Sequence, residues 1–106
     1  MEKVIKDGMV AVCYSPGYGA GWYSWGAPIE LVFHPKIVNM ILENRQGEIT
    51  EKWLAENIGD EYSEVNCWGA YTLKIKWVPE GTAFVIEEHD GHESIVTYEC
   101  MDIIVA

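Results

Sequence analysis

Basic side chains are scarce in this 106-residue chain: one arginine, Arg45, and six lysines stand against 17 acids, for a net charge of -10. Affinity for duplex nucleic acid comes largely from lysine and arginine neutralising phosphates, so duplex binding is excluded as an expected activity. No apolar run approaches the roughly 20 residues that span a bilayer, and Met1 to Asp7 lacks the apolar stretch of a signal peptide. The expectation is therefore a cytoplasmic protein with no membrane partner. Cysteines are few and odd in number, and Cys13, Cys67 and Cys100 contain no C-x-x-C pair. Neither a disulfide framework nor a zinc ribbon follows, and reduced, mostly buried thiols are expected.

What is present is globular. Hydrophobic residues make up 49% of the chain and charged residues 23%, a composition that folds into a core, and the length suits one domain over 1–106. The charge is uneven: positions 77–106 hold seven of the acids and no lysine or arginine. Such a surface keeps a protein soluble and can also meet a basic partner.

Periodicity predicts an α+β domain, a mostly antiparallel sheet with two short helices packed on one face. Val4 to Val12 reads as a hairpin around Asp7-Gly8, because glycine supplies the positive φ of a tight turn. His34-Pro35 opens a helix carrying Ile37, Val38, Ile41 and Leu42, with Gly47 as its stop. Thr50 caps a second helix with Trp53, Leu54 and Ile58 on one side and Gly59 at its end. From Tyr71 the period becomes two, with Tyr71, Leu73, Ile75 and Trp77 facing one way. Thr82 to Glu88 and Ser94 to Tyr98 form a hairpin around Asp90-Gly91, and Met101 to Val105 reads as a last strand. Trp53 and Trp77 fit their elements as core residues.

The most unusual stretch is 15–28, with four glycines, two prolines and four aromatics. A loop of that length in so small a domain is often functional. Its glycines allow backbone N–H groups to approach an anion, and its aromatics offer flat faces on which a base can stack. The candidate ligand site is Tyr14, Ser15, Gly17, Tyr18, Gly19, Gly21, Trp22, Tyr23 and Trp25. Trp68 joins it if the bend at Gly69-Ala70 lies near the loop, so that Trp22, Trp25 and Trp68 line one pocket. The stretch matches neither a Walker sequence nor a dinucleotide fingerprint. Glycines permitting tight turns around core aromatics would have the same composition. Any phosphate would rely on backbone N–H groups and on Lys36, Arg45, Lys74 or Lys76.

His89-Asp90-Gly91-His92-Glu93 groups four potential metal ligands, yet no distant cluster completes a shell, and neither a metal nor a cofactor is assigned. The cysteines and histidines are too scattered for nucleophilic catalysis. Glu87 and Glu88 alternate across a strand and cannot face one another as an acid and base pair. No catalytic residue is assigned.

The segment Asp7-Gly8-Met9-Val10-Ala11-Val12-Cys13-Tyr14-Ser15-Pro16-Gly17-Tyr18-Gly19-Ala20-Gly21-Trp22-Tyr23-Ser24-Trp25 resembles a family of small uncharacterised phage and prophage proteins. The likeness continues in Leu31 to Val38, Trp68 to Leu73, Trp77 to Thr82 and His89 to Ile95. Where the family favours a Tyr-type residue and Ser, this chain has His89 and His92. The resemblance implies a phage setting and a shared fold. By analogy with small phage accessory proteins, the leading expectation is non-catalytic sequestration of a nucleotide-like signal in a counter-defence role. The alternative is an acidic inhibitor or adaptor that meets a host protein through Glu87, Glu88, Asp90 and Glu93, and a small metal-dependent enzyme ranks behind both. Exposed strand edges and many aromatics make a homo-oligomer plausible.

Overall fold

A computed structural model describes residues 1–17 and 21–97. Tyr18 and Gly19 of the expected site, Cys100 and the expected last strand lie outside these residues. Two Asp-Gly turns set the strand pairing. Strand β1 (Ile5–Lys6) folds back on β2 (Met9–Tyr14) through Asp7 and Gly8, with φ of 53° and 75°. Strand β4 (Phe84–His89) folds back on β5 (His92–Thr97) through Asp90 and Gly91, with φ of 53° and 79°. Two consecutive positive φ values match the right-handed twist of the flanking strands, which is why Asp-Gly fixes both registers.

The α+β class and the antiparallel pairing are those expected, with a different distribution. The five strands divide between a three-stranded sheet, in the order β1-β2-β3, and the separate β4-β5 hairpin. In β3 (Lys74–Pro79), Val78 lies opposite Val10 and Ile75 opposite Cys13. The central strand β2 buries Val10, Ala11, Val12 and Cys13, so it is covered on both faces. Three helices replace the expected two: α1 (Glu30–Phe33), α2 (Pro35–Leu42) and α3 (Glu51–Asn57). Helices α1 and α2 lie against β2.

Local chemistry sets the helix starts. Pro35 takes the first position of α2, where its missing N–H costs nothing, and His34 Nδ1 accepts from Lys36 N at 3.1 Å. Thr50 Oγ1 accepts from Trp53 N at 3.1 Å and caps α3. Leu54 is fully buried, and Trp53, Ile58 and Trp77 pack against the core as expected. Tyr71 departs from the period-two reading: Ala70–Thr72 is a 3-10 turn, and the ring of Tyr71 faces solvent. The strand begins only at Lys74, because the chain leaves Gly69 in a tight turn.

The second hairpin docks through apolar contact and one polar clamp. Phe84 meets Phe33 edge-on, with ring centroids 6.0 Å apart, and Ile95 and Ile86 join the same core. The clamp is at Glu93, described below.

The His34 cap makes the fold sensitive to acid. Burial and the charge of Lys36 hold the imidazole below its usual pKa, with Glu2 acting in the opposite sense. Since the folded state then binds fewer protons than the unfolded state, stability is complete above the unfolded pKa of about 6.5 and declines as the pH falls below it. Urea denaturation at pH 7.5 and pH 5.5 should show a larger loss for the wild type than for His34→Asn, which caps without titrating.

Candidate functional site

Alternation along β5 turns Glu93 and Ile95 inward and Ser94 outward, so a carboxylate enters the protein beside a core isoleucine. Glu93 is 0% exposed. Its backbone N donates to Ser15 O at 2.9 Å, and its Oε1 accepts from Ser15 N at 2.8 Å. Its Oε2 accepts from Trp22 N at 2.9 Å, Ser24 N at 2.8 Å and Ser24 Oγ at 2.7 Å. Three backbone N–H groups and a hydroxyl thus surround one carboxylate. This is the anion cradle that glycine-rich loops form, and the anion is the chain's own.

The arrangement redraws the expected ligand site. Ser15 is buried, and both its N and its O are engaged by Glu93. Trp22 is 0% exposed, with its indole N–H donating to Leu31 O at 3.3 Å, so its faces are core and unavailable for stacking. Gly21 is buried beneath Trp25, where an added Cβ would lie 2.5 Å from Trp25 Cδ1. Gly17 packs on Thr72, with 2.6 Å between an added Cβ and Thr72 Cγ2. These glycines are required by close packing of the chain on itself. Tyr14 is half-buried, while Tyr23 and Trp25 keep exposed edges. Tyr23 borders a shallow groove with Ile29, Phe84, Val85 and Ile86.

The bend after Trp68 does meet the first loop. Ser15 Oγ donates to Gly69 O at 3.2 Å and lies 2.6 Å from Thr72 Oγ1, while Thr72 Oγ1 donates to Gly69 O at 2.9 Å. A Cβ on Gly69 would stand 2.6 Å from Gly21 O, so only glycine fits at this crossing. On the other side, Trp68 N donates to Asn66 Oδ1 at 2.9 Å. A backbone held on both sides carries two side chains outward: Trp68 is 78% exposed and Tyr71 65%. They flank a cleft of about 270 Å³ that also includes Gly47, Thr50, Glu51 and Cys67. Trp22 and Trp68 therefore do not line one pocket, because one faces the core and the other solvent.

The acidic turn is likewise divided. Glu87, Glu88 and Asp90 are exposed, but Glu93 is withdrawn from the surface and cannot contact a partner. Glu88 accepts from Gly91 N, and His92 Nδ1 meets Pro16 O. Burial pushes the Cys13 thiol up to about 12, and burial with the nearby charge of Glu51 pushes Cys67 to about 12. Both thiols are protonated at neutral pH, the unreactive form.

Sequence reasoning missed Glu93 as the organiser of the loop and Tyr71 as an exposed aromatic. The signal for Glu93 was the two-residue offset from Ile95, which puts both on one face. Among the described residues, no helix is long and apolar enough to cross a membrane. No family model, curated protein or solved structure matches the chain.

Removal of the clamp leaves buried N–H groups without an acceptor, so Glu93→Ala is expected to cost about 3 kcal/mol or more. Added acetate or formate should restore part of the melting temperature of Glu93→Ala and leave the wild type unchanged. Scanning calorimetry with and without the salt, with chloride as control, checks this.

Proposed function

We propose that the chain is a non-catalytic binding protein, in the phage accessory setting that its sequence resemblance implies, which engages a basic surface of a host protein in the host cytoplasm. One observation carries this reading. Trp68 and Tyr71 stand exposed on a pinned turn at the loop end of β2, where Pro16 also meets the β4-β5 turn bearing Glu88 and Asp90. Between positions 77 and 97 there is no lysine or arginine to neutralise that hairpin. Tryptophan and tyrosine are enriched among residues that dominate interface energy, and complementary charge speeds and selects encounter.

Sequestration of a nucleotide-like signal is the weaker reading. Of the features that motivated it, the N–H cradle is filled by Glu93 and Trp22 is in the core. It retains the aromatic surfaces of Tyr23, Trp25 and Trp68. A phosphate arriving there would meet an acidic surface.

The test compares capture of host proteins by the wild type and by a Glu87→Lys, Glu88→Lys, Asp90→Lys triple variant that keeps Glu93 in its cradle. A basic host protein retained at low salt, released by added salt and lost to the triple variant is the expected result. Equal capture by both proteins, or calorimetric binding of a cyclic or linear nucleotide by the wild type, would overturn it.

A further inference from the structure

The cleft between Trp68 and Tyr71 differs in chemistry from the rest of the acidic surface. Its walls are two aromatic side chains, both more exposed than buried, and its rim includes the carboxylate-bearing Glu51 in the first turn of α3. No lysine or arginine lines it. The nearest cations in sequence are committed elsewhere. Arg45 holds Glu48 with two bonds of 3.0 Å and Glu43 with one of 3.2 Å, and Lys52 lies 3.8 Å from Glu56. Among the described residues Glu51 has no ion-pair partner. Its charge reaches the cleft floor, since it contributes to raising the Cys67 thiol.

Size narrows the occupant. About 270 Å³ falls below the range of roughly 300 to 1,000 Å³ usual for drug-sized ligands, and suits one long side chain. The aromatic faces attract cations, and a planar guanidinium stacks on them while its N–H fork reaches a carboxylate. An anionic ligand would find neither a cation nor an unoccupied cradle here.

We propose that the Trp68 and Tyr71 cleft receives a single arginine side chain of the partner protein, its guanidinium held against the aromatic rings and answered by Glu51. This rests on the partner-protein reading and specifies its chemistry. The backbone of the turn is fixed by Ser15, Thr72 and Asn66, so the cleft exists before the arginine arrives.

The probe is a capped Gly-Arg-Gly peptide, with citrulline and lysine versions, titrated into the ¹⁵N-labelled full chain. The Trp68 indole signal, assigned with Trp68→Phe, and the Gly47 amide should move with the arginine peptide. Citrulline, neutral and nearly the same shape, should bind about fivefold more weakly, as should arginine to Glu51→Gln, the scale of one exposed cation and ring or carboxylate contact. Trp68→Ala should abolish the response while keeping the remaining amide spectrum, because the side chain lies outside the core. Equal binding of citrulline and arginine would overturn the proposal, as would stronger lysine binding, an unaffected Glu51→Gln or an unmoved Trp68 signal. Host-protein capture separates the two levels. Capture that survives Trp68→Ala and Glu51→Gln removes the arginine cleft alone, whereas wild-type protein that captures nothing removes the partner reading itself.

Discussion

The rest of this fold depends on where one carboxylate sits. A glutamate taken out of water is costly unless its oxygens are answered, and Glu93 is answered by Ser15, Trp22 and Ser24 without a cation. That exchange binds the separate β4-β5 hairpin to the end of β2 and draws residues 21–24 inward. With the loop drawn inward, Trp22 is seated in the core and Gly21 lies under the Gly69 crossing. The outward presentation of Trp68 and Tyr71 is a consequence two contacts removed.

Elements governed by neighbours in sequence were legible from the start. Both Asp-Gly turns, the Pro35 helix start and the Thr50 cap depend on interactions over a few residues, and each is where the sequence put it. The site was less legible because its determinants are distant. A loop of glycine and aromatics reads the same whether its N–H groups await a ligand or already hold a side chain from elsewhere in the chain. Composition likewise cannot distinguish Trp22 in the core from Trp68 in solvent. The period-two run at Tyr71 was extended too far back, since a 3-10 turn can mimic alternation for a residue or two. The division into two sheets was hidden as well, because it depends on contacts between Phe84 and Phe33 and between Glu93 and Ser15.

The correction at Glu93 also changes how the acidic third is understood. Five acids lie between positions 77 and 97, but they do not form one surface. Glu93 is structural, whereas Glu87, Glu88 and Asp90 face solvent. A charge-reversal set that included Glu93 would confuse loss of a contact surface with loss of the fold. Restricting it to the three outward acids keeps binding and folding separable.

The Ser15 and Glu93 contact joins residues 78 positions apart. Closing so long a span comes late, after local turns and helices have formed, since the loop entropy must be overcome before the contact contributes. On the ribosome, the N–H groups of Ser15, Trp22 and Ser24 remain without their acceptor until β5 has emerged. The turn that displays Trp68 is synthesised before that point, yet the loop against which it rests is completed only afterwards. A truncated or stalled chain would therefore present the aromatics without the fixed geometry, and a partner that requires that geometry would distinguish finished protein from fragments.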